Sequence, residues 1–127
     1  MSQRRARSPG SWSSCVVRGD VHAITLPRGR GRVQHGRRFA VIVQADDLLA
    51  LSKVVVCPTS TSAPAASFHP EIGLGDAEIG LGDERTRVLC EMVGAIDARN
   101  LGGQVTHLEY DELRAVDEGL LLVLDLQ

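Results

Sequence analysis

The chain has 127 residues, 43% of them hydrophobic and 24% charged, with a formal net charge of −2. These values fit one ordinary domain that can bury its own core and exclude a wholly disordered chain, and no apolar run reaches the ~18 residues of a membrane-spanning helix. Three widely spaced cysteines (Cys15, Cys57 and Cys90) with no CxxC pair exclude a disulfide framework or a structural zinc site and point to a reducing cytoplasm.

The first fourteen residues, MSQRRARSPGSWSS, are rich in Ser, Arg, Gly and Pro and lack the apolar stretch of a secretory signal. They read as a disordered leader, and residues 15–127 as one domain. From Cys15 to Leu26 the pattern turns strand-like, with Arg18-Gly19-Asp20 as a turn and alternation after it. Residues 27–37 form a loop too rich in Gly and Arg for regular structure. Phe39 to Gln44 is an apolar, β-branched run that predicts a buried strand. Residues 45–52 predict a short helix with acids in its first turn. Lys53 to Cys57 predicts a second buried strand stopped by Pro58, and 59–67 a hydroxyl-rich loop. Short strands are expected near 67–72, 86–93 and 103–108. The tandem heptads EIGLGDA (71–77) and EIGLGDE (78–84) read as a duplication lengthening a surface loop, because two units cannot build a solenoid. Glu71, Asp76, Glu78 and Asp83 lack the ligand density of a calcium loop. Finally, 110–126 predicts a helix with Leu113, Val116, Leu120 and Leu124 on one stripe. The expected fold is mostly β with α (α+β): a small barrel or curved sheet of antiparallel strands closed by a C-terminal helix. Aromatics amount to only 3%, so its core is Val, Leu, Ile and Ala, and a stacking platform for bases is disfavoured.

Charge divides sharply along the chain. Up to Arg38 there are nine arginines against one acid, Asp20; from Phe39 onward there are five bases against fifteen acids. A basic third on an acidic body suggests one polyanion-facing surface, and Arg is the residue whose planar fork suits phosphate. Three places could carry chemistry. The loop from Gly31 to Arg38 (GRVQHGRR) fits either a phosphate cradle or a solvated basic loop. Arg38 stands apart in it because it abuts a buried strand and would be held rigidly. The segment Cys57–Thr61 (CPTST) offers the hydroxyls of Ser60 and Thr61, which serve equally well as turn caps. Of the four histidines, His22 and His107 read as satisfied side chains in strands, and His35 is the one placed to shuttle a proton. No Walker loop, GxSxG elbow, HExxH or paired-carboxylate motif occurs.

Taken in order, six segments over about 18–126 resemble the MazF/PemK family of type II toxin–antitoxin endoribonucleases. They are Arg18-Gly19-Asp20-Val21; the loop with Gly31, Gln34, Gly36 and Arg38; AVIVQADD (40–47); VVVCPTSTS (54–62); VLCEMVGAID (88–97) with Leu101; and THLEYDELRAVDEGLLLVLDL (106–126). The resemblance implies an SH3-like, CcdB/MazF-type barrel. It also implies a metal-independent, cofactor-free, sequence-specific endoribonuclease that cleaves single-stranded RNA through 2′-OH attack. In that pattern the catalytic arginine falls on Arg38 and the active-site hydroxyl on Ser60, with Thr61 adjacent, while Gly31, Gln34, His35 and Arg37 bind RNA. A cytoplasmic homodimer and a MazE-like antitoxin with an acidic tail are the implied partners. Phe39, Val33, Met92 and Gly94 replace the family's usual Pro, Glu, Gln and Arg, departures that bear on RNA sequence preference and rate. Two rivals are a gyrase-binding toxin of the CcdB type, which would not need Arg38 and Ser60 together, and a barrel that binds RNA or protein without cutting. His35 and Glu91 are the candidate proton acceptors, because arginine stays protonated in proteins.

Overall fold

The computed structural model describes residues 16–25, 38–74 and 85–126. The leader, the glycine–arginine loop at 27–37 and most of the duplicated heptads lie outside these residues, as do Gly31, Gln34, His35 and Arg37. Seven antiparallel strands occur among the described residues: β1 (Asp20–Ile24), β2 (Phe39–Ile42), β3 (Lys53–Ser60), β4 (Glu71–Ile72), β5 (Thr86–Val88), β6 (Gly94–Asp97) and β7 (Leu101–His107). They form one curled sheet in the order β4-β5-β3-β2-β1-β7, with β6 also paired to β3, and helix α1 (Tyr110–Leu124) follows.

The turn into β1 explains its own sequence. Gly19 adopts φ +95°, and a Cβ there would press on the His107 ring at 3.1 Å and Leu113 at 3.2 Å, so glycine is required. Its N–H donates to the Ile42 carbonyl and its carbonyl accepts from Leu108, which ties β1, β2 and the entry to α1 together. Asp20 closes the turn by accepting from the Val17 N–H through Oδ2 at 3.0 Å.

Alternation along β2 and β3 splits the core across the two faces of the sheet. Phe39, Val41, Val43 and Cys57 join Val21, Val88, Cys90, Leu108 and Val116 in one cluster. Ala40, Ile42, Val54 and Val56 form a second on the opposite face. Helix α1 covers the first cluster with Leu113, Val116, Leu120 and Val123. Val123 takes the place expected for Leu124, which is 48% exposed. A capping box between Glu109 and Glu112 starts the helix, and Asp125 in a left-handed conformation ends it.

Several elements differ from expectation. β3 runs through Pro58 to Ser60 rather than stopping at the proline, so Thr59 and Ser60 are strand, not loop. The missing N–H of Pro58 is harmless: its carbonyl accepts from Leu89, while the Leu89 carbonyl is taken by Met92, so that ladder needs no donor from the proline. The short helix expected at 45–52 is a single 3-10 turn at Asp46–Leu48, too short for helix propagation to repay its nucleation. The strand expected at 86–93 is cut by a 3-10 turn at Cys90–Met92, after which the chain re-enters the sheet as β6. In the first heptad copy, Glu71 and Ile72 form β4, and Ile72 and Leu74 are buried, so that copy is part sheet rather than pure surface loop. No helix among the described residues is long and apolar enough to cross a membrane.

Candidate functional site

The strand registers bring distant residues into one row. β2 and β3 pair Ala40 with Pro58, Val41 with Cys57 and Ile42 with Val56. Beyond Ala40 the two strands are joined by a hydrogen bond from Thr59 Oγ1 to the Phe39 carbonyl (3.2 Å), and Arg38 precedes β2 at this same end of the β2–β3 pair. Residues directly opposite in an antiparallel pair share a face with their Cα atoms about 4.5–5.5 Å apart. On the other side of β3, Ser60 is directly opposite Arg87 of β5, which is in turn opposite Glu71 of β4. Ser60, Arg87 and Glu71 therefore form a single transverse row across three strands, and Arg38 stands at the mouth of β2, at the end of the β2–β3 pair where Ser60 closes β3.

Each member is held by its backbone or its neighbours. The Arg38 carbonyl accepts from the Ile24 N–H at 2.9 Å, fixing the residue against β1 before β2 begins. Ser60 Oγ lies 3.1 Å from Ser62 Oγ and accepts from the Ser62 N–H at 3.0 Å. This local turn bond is the capping role that the sequence also allowed. Arg87 donates to the His69 carbonyl through Nη1 at 3.2 Å and to Glu71 Oε1 through Nη2 at 3.3 Å, and its side chain is 20% exposed. Thr61 lies just beyond the end of β3, exposed and outside the ladder.

Glu91 and His69 are committed to each other. His69 is buried; its Nδ1 faces the Pro64 carbonyl at 2.9 Å and its Nε2 faces both Glu91 oxygens at 2.9 and 3.1 Å. The Pro64 carbonyl and then the Glu91 carboxylate raise its pKa, against the opposing effect of burial. With acceptors at both ring nitrogens, His69 is suited to the imidazolium form. Glu91 is thus an ion-pair partner rather than an available base.

A second polar cluster lies at the β1–β7 seam. The buried Asp20 accepts from His107 Nδ1 at 2.8 Å and from Gln104 Nε2 at 3.1 Å. His22 Nδ1 donates to the Gly102 carbonyl at 2.9 Å, while its Nε2 stands 3.7 Å from Asp20 Oδ2, an ion-pair rather than a hydrogen-bond distance. A neutral His22 would turn a lone pair toward that carboxylate. Burial alone would lower the His22 pKa, but Asp20 and the Gly102 carbonyl outweigh it and raise it. For Asp20, burial is likewise outweighed by the nearby His22 imidazole and by bonds from His107 and the Val17 amide, and its carboxyl is held below the usual range. His107 meets the expectation of a satisfied strand histidine, whereas His22 is satisfied at one nitrogen and electrostatically held at the other. Among the described residues, no cluster of three or more His, Cys, Asp or Glu could hold a metal ion.

The sequence singled out Arg38 and Ser60, which lie at the same end of the β2–β3 pair. It did not single out Arg87. The signal available was the alternation in Thr86-Arg87-Val88, which places one arginine between two buried residues on the face opposite theirs.

Comparison with known proteins agrees with this architecture. A toxin candidate of Mycobacterium tuberculosis, Rv3098A, is 33% identical over 113 residues, covering 87% of this chain and 99% of that protein. Among solved structures, the Mycobacterium tuberculosis toxin MazF-mt6 superposes with a TM-score of 0.66 at 22% identity, over 85% of this chain and 98% of its own. MazF from Deinococcus radiodurans gives 0.66 at 20% identity over 87% and 96%. A mycobacterial endoribonuclease in complex with its cognate antitoxin gives 0.70 at 16% identity over 88% and 97%. At these identities the superpositions speak for the fold. Residues 17–124 match the family described as PemK-like, MazF-like toxin of type II toxin–antitoxin system, and the chain belongs to that family.

Proposed function

We propose that this toxin is a sequence-specific endoribonuclease that cuts single-stranded RNA with no metal or cofactor, using Arg38 and Ser60. The observation supporting the reading is an arginine, its carbonyl bonded to β1 at the mouth of β2, at the same end of the β2–β3 pair as the hydroxyl that closes β3. RNA carries its nucleophile, the 2′-OH, beside the phosphorus it attacks, so intramolecularity already supplies much of the advantage of positioning. The 2′ oxygen bonds to phosphorus, the P–O5′ bond breaks, and the 2′ proton finally resides on the departing 5′ oxygen. The products are a 2′,3′-cyclic phosphate and a 5′-OH. Charge gathers on the non-bridging oxygens of the five-coordinate phosphorus, and a guanidinium with a neighbouring hydroxyl stabilises it by charge-assisted hydrogen bonds. The proton passes through water or His35, since Glu91 is engaged by His69. Thr61 lines the exit of the same strand, and Gly31, Gln34, His35 and Arg37 bind the RNA strand in the loop that leads to Arg38.

The active form in this reading is a cytoplasmic homodimer. Leu121, Leu122, Leu124 and Leu126 are all more than 40% exposed at the end of α1, an apolar surface that a second copy would cover. An antitoxin with an acidic tail is the second partner, because a cationic segment on an otherwise acidic body attracts a flexible polyanionic peptide as well as RNA. The two ligands exclude each other. The test is cleavage of RNA in excess EDTA beside an analogue carrying a 2′-deoxy sugar at the scissile nucleotide. The reading predicts an unaffected rate with EDTA and no cut in the analogue; cleavage of the analogue, or loss of activity on chelation, refutes it.

A further inference from the structure

We infer that Arg87 is a second phosphate-contacting residue of this site, clamping the RNA backbone from the side of Ser60 opposite Arg38. The inference rests on the endoribonuclease reading and adds to it a residue that the resemblance does not supply. Its basis is the row itself. Ser60 is directly opposite Arg87 in the β3–β5 register, and Arg38 leads into β2 on the other side of β3. Ser60 and Arg87 share one face, one strand spacing of about 4.8 Å apart at the backbone, and β2, which Arg38 leads into, flanks the other side of β3. A phosphodiester on Ser60 would lie between two cations of the kind that binds phosphate through a planar fork.

Two features separate Arg87 from an ordinary surface arginine. Its guanidinium is pre-positioned: the His69 carbonyl and Glu71 Oε1 each take one N–H, leaving three of its five donors without a described partner. The His69 carbonyl belongs to a residue locked by Pro64 and Glu91, so the clamp on Arg87 is rigid. Arg85, by contrast, is 76% exposed and pairs with Glu71 among the described residues. Glu71 is then a positioning residue. It holds Arg87 in the row and offsets part of its charge until a polyanion arrives.

The test uses the full chain and two substrates. A long single-stranded transcript reports single-turnover cleavage, and a mixed-sequence single-stranded DNA 20-mer, which has no 2′-OH, reports binding as a function of salt. Arg87→Ala is expected to slow cleavage at least tenfold and to reduce the slope of log K against log salt by about 0.7, the share of one phosphate contact on a single strand. Arg87→Lys restores the slope but only part of the rate, because an ammonium replaces the charge and not the fork. Glu71→Gln tightens DNA binding. Arg114→Ala, which removes the same charge from the exposed face of α1, changes neither quantity. Thermal unfolding of each variant checks that the fold is kept, and Arg87→Lys carries the slope test should Arg87→Ala not fold. Unchanged cleavage and slope in a folded Arg87→Ala protein overturn the inference, as does an equal loss in Arg114→Ala. A parent protein that cleaves no RNA overturns the nuclease reading alone, and the DNA slope still decides Arg87. A parent that also fails to bind DNA overturns both.

Discussion

Gly119 sits where α1 crosses the 3-10 turn at Cys90–Met92, and Gly119→Ala tests how tightly that crossing is packed. In the open middle of a helix this change stabilises by about 0.8–1 kcal/mol. Here the new Cβ would lie 2.6 Å from Cys90 Sγ, 3.4 Å from Cys90 Cβ and 3.5 Å from the Phe68 Cα. Cys90 is fully buried and its thiol faces the Val116 carbonyl at 3.8 Å, so the sulfur has little room to retreat. Overpacking of this kind costs about 1–3 kcal/mol. The clash wins, and the expected net destabilisation is about 1–2 kcal/mol, a fall in Tm of about 4–8 °C for a domain of this size. Cys90→Ala removes the obstructing atom and leaves a contact at ordinary distance, so in that background Gly119→Ala becomes neutral or stabilising. Urea unfolding of the four proteins, followed by circular dichroism, closes the cycle with an interaction energy of about 1–2 kcal/mol. A Gly119→Ala protein as stable as its parent, or an identical effect in both backgrounds, would show that Cys90 does not limit the packing of this crossing.

Ser60→Thr is expected to preserve RNA cleavage and Ser60→Ala to lower it about a hundredfold, the scale for loss of one oxyanion donor, with single-turnover rates as the readout and equal loss in both variants as the contrary result. The Asp20–His22 pair should give a bounded pH window of stability. The depressed Asp20 contribution is present above the ordinary carboxylate pKa near 3.8 and is lost as pH falls through its folded value; the raised His22 contribution is present below about 6.5 and is lost as pH rises through its folded value. Denaturant midpoints should therefore peak between about pH 4 and 6.5, and in Asp20→Asn that peak should flatten; a parent profile unchanged by this substitution contradicts the pairing. Asp117→Asn severs the 2.6 Å bridge to Arg18, which links α1 to the β1 turn. Both partners are partly exposed, so the expected loss is only about 0.5 kcal/mol and shrinks at high salt; a loss several times larger in urea titrations would show the bridge to be more than a surface pair.

Much of the fold was legible in the sequence because its signals are local. The apolar runs at 39–44 and 53–57 announce buried strands, and the Arg-Gly-Asp turn announces a glycine that the structure holds at positive φ. The spacing of Leu113, Val116 and Leu120 finds the face by which α1 packs. What escaped depends on pairing across distance. Pro58 reads locally as a strand breaker and is tolerated only because Met92 occupies the Leu89 carbonyl that would otherwise need a donor. The turn at Cys90–Met92 interrupts a run that alternates well enough to be one strand. The site divides in the same way. Arg38 and Ser60 stand out locally, as an arginine abutting a buried strand and a hydroxyl at a strand end, but that they share one end of the β2–β3 pair is a matter of pairing. Arg87 acquires meaning only once β5 is laid beside β3, and no spacing along the chain reveals that Ser60 faces it.

Whether Arg38 promotes transfer of an RNA phosphodiester to its own 2′ oxygen is read directly by mapping RNA ends. Total RNA is incubated with the purified protein or with Arg38→Ala, and newly formed 5′-hydroxyl termini are ligated and sequenced. The parent protein is expected to give discrete 5′-OH ends sharing a short sequence, fewer by at least a hundredfold with Arg38→Ala, the loss expected when the charge-stabilising donor is removed. Ends bearing 5′-phosphate, or 5′-OH ends equally abundant with the variant, would contradict that role.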